Sequence, residues 1–363
     1  MGGVILNDDK NNQEEIKDEK ELDSLFDDLK TSKLKKAVRK AKWHSILRNI
    51  IISFLVLGVI MIGGTIINRG VIDKTWTPVQ IAIDSFNDIS APNNYIGKTN
   101  RYYGILSGRT EYTTFKIIEG KVVYTGENEY NYGLFKDYRG NWVATESPLI
   151  LGESWDASDV ELQRYNELGQ REMVFFYPFL DYPDYKNDLQ LLDNIASTKV
   201  MEMALSLDKD YGMEEVNNML PESVTLSWYW LDDLNEQEKE DSKPRTVEQQ
   251  KPDGTPYIVD YPPRLRSERT VYGIKAYNPN GTPLDEPEHE FILALKHGMD
   301  YDTRLKSEFE RVFQNIAGED SEITKEDFRV LGVVVTGDAE SLKNLQDLPF
   351  IKATSLGVIT DKY

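Results

Sequence analysis

The hydropathy pattern changes character three times along the chain. Residues 49–68 (NIIISFLVLGVIMIGGTIIN) hold no charged side chain, and Ile, Leu, Val and Phe dominate their centre. As a helix, such a run of about 20 residues rises about 30 Å, the thickness of a bilayer's hydrocarbon core. A core helix of this length in a soluble protein normally carries a polar face, and this one has none. The rival reading is a cleaved signal peptide. The run exceeds a typical signal core, and GGTIINRGVIDK after it offers no small-x-small cleavage site. Upstream, Leu22, Leu25, Phe26 and Leu29 fall at offsets 0, 3, 4 and 7, one face of a helix. Leu34, Ala37, Val38 and Ala41 repeat that spacing. The first dozen residues are polar and lack the period, which predicts disorder there.

Downstream of the span, period-two segments take over. Residues 98–138 are rich in Tyr, Thr, Ile and Val with Gly punctuation, which predicts three or four short strands. Residues 141–170 read as loop, followed by the buried run MVFFYPFL. The spacing of Leu189, Leu192, Ile195, Val200, Met203 and Ala204 predicts a helix over 188–207. A second short helix over 213–220 stops at Pro221, and ESVTLSWYWLDD then alternates as a strand. The charged stretch 234–251 reads as a mobile loop. A strand is expected over 270–276 and helical spacing over 289–296 and 305–316. The C-terminus reads as strand 328–336, a turn at Gly337, helix 339–348 and strand 351–359. MEEVNNMLPESVTLSWY and SLKNLQDLPFIKATSLGVI both run helix, Leu-Pro, strand, an echo that hints at a duplicated unit.

Helices and strands without regular alternation point to α+β architecture. The expected whole is an α+β extracytoplasmic domain preceded by one transmembrane helix and a short amphipathic helical tail. Its divisions are a tail at 1–48, the span at 49–68, a strand-rich membrane-proximal region at 69–185 and an α+β C-terminal domain at 186–363.

Charge gives this arrangement a direction. Residues 1–29 hold ten acids and three bases, whereas residues 30–48 hold eight bases and no acid. Lys33, Lys35, Lys36, Arg39, Lys40, Lys42 and Arg48, with Lys30, thus lie just before the span, and only Arg69 and Lys74 lie close after it. The positive-inside rule places the tail in the cytoplasm and the remainder outside. The same basic residues suit contact with the anionic leaflet better than a nucleic-acid arm, given their position against the span. Trp43 and Trp76 flank the span as interfacial aromatics do. Forty-eight residues cannot bury two apolar stripes in a core of their own. The acidic stripe (Leu22, Leu25, Phe26, Leu29) therefore suits a protein groove, and the basic one suits the membrane surface. The bland alternative is an unstructured tail that only sets topology, in a structural or accessory envelope protein.

Composition narrows the chemistry. The chain has 363 residues, a net charge of -20 and no cysteine, so disulfides, thiolate metal sites and cysteine nucleophiles are excluded. Its three histidines are His44, in the tail, and His289 and His297, which would point about 80° apart on a helix, poor geometry for joint metal ligation. No His-Glu-x-x-His, Gly-x-Ser-x-Gly, phosphate-binding loop or dinucleotide-binding pattern occurs. These absences argue against an enzyme and predict no catalytic residues, metal or cofactor.

LFDDLKTSKLKKAVRKAKWHSILRNIIISFLVLGVI resembles the N-terminal region of the sigma-factor regulator family of Gram-positive bacteria. HEFILALKHGMDY and VLGVVVTGDAESLKNLQDLPFIKATSLGVI resemble its C-terminal domain, where a strand ending Val-Val-Thr-Gly leads into a helix and a closing strand. LPESVTLSWYWLDD is similar to the family's central strand. The resemblance implies a membrane anti-sigma factor. Its tail would hold an extracytoplasmic-function sigma factor at the membrane, away from RNA polymerase, with no direct contact to nucleic acid. Its outer domain would sense envelope stress or bind a second small membrane protein. The tail lacks the His-x3-Cys-x2-Cys pattern of zinc-binding anti-sigma domains, so sigma contact would fall to the amphipathic helix.

Overall fold

A computed structural model describes residues 8–134, 149–150, 164–318 and 322–363. The chain divides into two units, Met1–Arg69 and Gly70–Tyr363. Helix α1 (Asp8–Ile89) supplies the described part of the first unit and opens the second. Two expectations change here. Helix begins at Asp8 where disorder was expected, in a stretch of Glu, Lys, Asp and Gln that includes strong helix formers. Helix also continues well beyond the span, through Pro78. An interior proline costs about 3 kcal/mol. Burial of Ile72, Trp76, Ala82, Ile83 and Ile89 offsets that cost, since each large apolar side chain contributes about 1.5–3 kcal/mol.

The second unit continues with an antiparallel meander, β1 (Asn94–Tyr103), β2 (Ser107–Ile118) and β3 (Lys121–Gly133), as the Tyr/Thr/Val pattern predicts. Next come β4 (Lys199–Tyr211), α2 (Met213–Met219), β5 (Thr225–Leu231), α3 (Glu236–Asp241), β6 (Arg245–Gln250), β7 (Pro256–Tyr261) and β8 (Gly273–Lys275). Helices α4 (Pro287–Met299) and α5 (Lys306–Ala317) precede β9 (Val330–Asp338), α6 (Ala339–Lys343) and β10 (Ile351–Asp361).

Five of these strands form one antiparallel sheet in the order β8-β5-β9-β4-β10. Its last four strands come from two β-α-β halves, β4-α2-β5 and β9-α6-β10, interleaved so that each half brackets a strand of the other. That is the ferredoxin-like split β-α-β connectivity. The two helix, Leu-Pro, strand segments of the sequence are the second and third elements of these halves. The duplication hinted at by the sequence is thus a structural one, with α4 and α5 inserted between the halves.

The sheet is buried on both faces. Met201, Met203, Leu205 and Leu207 of β4 join Tyr229, Val333, Val335 and Leu356 in a core with Val216, Leu342, Phe291 and Phe309 of the helices. Ala204, Trp228, Trp230, Val334 and Ala353 face the other way, onto 173–177 (Met-Val-Phe-Phe-Tyr). This double burial explains the largest misreading. The expected helix over 188–207 is a short 3-10 turn at Asp188–Asn194 followed by β4. Met201, Met203, Leu205 and Leu207 share one face of β4 and Glu202, Ala204 and Ser206 the other; with neither face solvated, the apolar positions of 188–207 also fit helical spacing. The expected loop at 234–251 holds α3, capped by Asn235, and β6, which pairs with β7. Gly337 lies inside β9 and not in a turn.

Candidate functional site

Helix α1 places Leu22, Leu25, Phe26 and Leu29 on helical backbone. Their side chains lie outside the described residues. Lys33, Lys35, Lys36, Arg39, Lys40, Lys42 and Arg48 are all exposed. From Ile46 to Ile67 the apolar side chains are bare, with Phe54 and Val59 each 71% exposed. No described residue covers this run, and α1 is the one described helix long and apolar enough to cross a membrane. So large a contiguous apolar surface is foreign to soluble monomers and matches a lipid-facing segment.

The second unit contains a polar cleft of about 650 Å³ between residues 83–94, the β2–β3 hairpin, the strand pair around Glu172, and Arg269. In its floor Lys116 of β2 donates to Glu202 Oε1 of β4 at 2.6 Å and to Glu268 Oε1 at 3.1 Å. Glu268 Oε2 accepts from the Met173 amide at 2.9 Å, and Glu202 Oε1 from the Val358 amide at 3.2 Å. Arg269 Nε donates to Glu172 Oε1 at 2.7 Å. Burial opposes the charged Lys116, but Glu202 and Glu268 outweigh it and push the ammonium up. Burial pushes Glu202 up despite Lys116, and pushes Glu172 up with help from Glu268. The second oxygens of Glu172 and Glu202 are buried without a partner. They are closed off from solvent, so the cluster reads as a clamp between hairpin and sheet. Glu268 and Arg269 keep part of their side chains exposed to the cleft.

No group of three or more His, Cys, Asp or Glu is arranged to hold a metal among the described residues. His289 and His297 both lie exposed on α4.

A family model described as sigma factor regulator N-terminal matches residues 35–123, and one described as sigma factor regulator C-terminal matches 192–358. The chain belongs to the sigma factor regulator family. The N-terminal match takes in the basic block from Lys35 onward, the apolar run and β1–β2, and the C-terminal match takes in the five-stranded sheet with its helices up to 358, within β10. No curated protein and no solved structure matches the chain significantly. This is a regulatory family, in keeping with the lack of catalytic motifs. A sigma factor is accordingly the partner the family implies. The acidic stripe lies upstream of both matched ranges.

Reading the sequence missed the Lys116 cluster because acids were assigned to solvated faces. The available signal was a single charge inside an apolar strand, Lys116 within TTFKII and Glu202 within VMEMAL. An ion at such a position is either paired or costly.

Proposed function

We propose that this sigma factor regulator is a single-pass membrane anti-sigma factor with residues 1–48 in the cytoplasm and 69–363 outside. The observation that carries the reading is the bare, uncharged run after eight bases in a chain of this family. In this reading Leu22, Leu25, Phe26 and Leu29 enter an apolar groove of an extracytoplasmic-function sigma factor and keep it from RNA polymerase. Lys33, Lys35, Lys36, Arg39, Lys40, Lys42 and Arg48 fix topology and rest on the inner leaflet. Residues 69–185 form the membrane-proximal part of the outer domain and 186–363 its C-terminal part. That domain receives the envelope signal or a second small membrane protein.

The test is co-purification of the detergent-solubilised full chain with a cognate sigma factor. Leu25→Asp and Phe26→Asp should each abolish it while leaving thermal unfolding of the outer domain unchanged. Retained binding by both variants removes this mechanism. Deleting 1–29 while keeping 30–48 separates it from an accessory envelope role, for which the transcriptome would not change.

A further inference from the structure

Within the unit that starts at Gly70, α1 and the β1–β3 meander run side by side, and their contacts fix a direction. Asn87 Nδ2 donates to the Asn94 carbonyl at 2.9 Å, at the start of β1. Near the other end of β1, the Arg101 guanidinium lies 5.1 Å over the Trp76 ring. The Trp76 ring is in turn 5.1 Å from that of Tyr132 on β3. β1 therefore travels antiparallel to α1, back toward Gly70. From Arg101 to Tyr103, where β1 ends, the extended chain advances about 7 Å, and the 104–106 turn carries it a few ångström farther. From Trp76 back to Gly70 the helix covers about 9 Å. The turn between β1 and β2 thus reaches the level of the unit's first residues. Gly70 follows Asn68 by two residues, so connectivity alone holds it within about 7 Å of the end of the apolar run.

The turn is built to present apolar side chains. Ile105 is 83% exposed, Leu134 63% and Tyr103 61%, and Tyr102 is also exposed. The Gly104 amide donates to the Ser107 carbonyl at 2.8 Å, and the Leu134 amide to the Leu106 carbonyl at 2.8 Å, which fastens Leu134 to the turn. Leu106 holds a left-handed backbone, φ 55°, a conformation an aliphatic residue adopts only at a cost of about 1–2 kcal/mol. The segment RYYGILSGRT carries Arg101 and Arg109 and no acid, in a chain where acids outnumber bases 62 to 42, and Arg109 balances Glu111 and Glu129 farther along the hairpin. Tyrosines beside aliphatics, flanked by bases, match the composition of a bilayer interface.

We infer that the 102–106 turn, with Leu134, is a second membrane contact that docks into the interfacial layer of the bilayer beside the emerging span. The contact rests on the reading that 49–68 crosses the bilayer. It ties the meander, and through Lys116 the sheet, to the lipid surface at two points instead of one. The outer domain would then be held at a fixed height and tilt over the membrane.

The absence of cysteine makes the test clean, since single cysteines can be placed and labelled with an environment-sensitive fluorophore in the full chain. Val59→Cys, Tyr103→Cys, Ile105→Cys and Ile258→Cys would be reconstituted in phosphatidylethanolamine/phosphatidylglycerol vesicles carrying headgroup- or chain-spin-labelled lipid. Ile258 is 70% exposed on β7 and serves as the reference surface position. Labels at Tyr103 and Ile105 should lose emission to the headgroup quencher while the label at Ile258 keeps it. The label at Val59 should be quenched by the chain-labelled lipid. Quenching at Tyr103 and Ile105 no greater than at Ile258, with Val59 quenched, overturns the docking and leaves the span intact. So does protection of those labels from aqueous iodide without lipid quenching, which would assign the turn to a second copy or another protein. An unquenched Val59 overturns the span, and the docking with it.

Discussion

Lys116 shows how much one residue can hold. Its ammonium bridges Glu202 and Glu268, and its side chain is 3% exposed, so solvent cannot replace it. Replacing Lys116 with Met would leave Glu202 buried and uncompensated, which costs about 3–5 kcal/mol. Urea unfolding of the full chain in detergent would show it as a lowered midpoint. Glu202→Gln should cost much less, because it removes a charge that burial already disfavours. The same residue sets a pH dependence. The folded-state pKa of Glu202 is raised above its ordinary 4.5, so the folded chain binds more protons between that value and the raised one. Its contribution is therefore most favourable at low pH and declines as pH climbs through the window. Comparing melting temperatures of wild type and Glu202→Gln across that range should show a flatter profile in the variant. A variant profile as steep as wild type would place the titrating group elsewhere. Glu172, also raised, stays present in both proteins and cancels from the difference.

At the scale of elements, the boundaries most visible in the sequence were those with chemical punctuation. Pro221 stopped α2, and β5 after it was legible from its run of Trp, Tyr and Leu, although it too is buried on both faces. β4 was hidden because both its faces are covered, the one bearing Glu202 and Ser206 included, and its tertiary position between β9 and β10 is what distinguishes it from a helix. The hairpin β6–β7 was hidden for the opposite reason, since it is mostly exposed and buries little. The α4–α5 pair was legible by spacing, but its closeness was not. A Cβ at Gly298 would lie 2.4 Å from the Phe309 ring, and Phe309 is fully buried. Gly298→Ala should therefore destabilise the chain by about 1–3 kcal/mol, despite alanine's better helix propensity. Differential scanning calorimetry would read this as a lowered transition. A raised one would mean that α5 can shift away. The cap of α6 is a smaller case. Asp338 Oδ1 accepts from the Ser341 amide at 2.9 Å, and Asp338→Ala should cost about 1 kcal/mol.

At the scale of the whole molecule, the apolar run at 49–68 was plain in the sequence because it is uncharged throughout and no described residue covers it. The interleaving of the two β-α-β halves was only hinted at, since an echo in sequence says nothing of strand order. In the proposed topology, charge would orient the molecule. Each base near the cytoplasmic leaflet is worth about 1 kcal/mol of surface attraction, and translocating a cluster of them is opposed. Neutralising Lys33, Lys35, Lys36, Arg39, Lys40 and Lys42 to Gln removes six of the eight bases before the span, leaving Lys30 and Arg48 against Arg69 and Lys74 beyond it. The charge asymmetry across the span would then vanish. Protease added to intact spheroplasts should digest the 70–363 unit of the wild type and spare an epitope at the N-terminus. In the neutralised chain a fraction should show the reverse, with the N-terminal epitope cut and the folded unit protected. Unaltered accessibility would mean that the folded unit itself dictates topology. That outcome would move the role of the basic residues from orientation to holding the tail helix on the membrane, with the neighbouring acidic stripe left free for a protein partner.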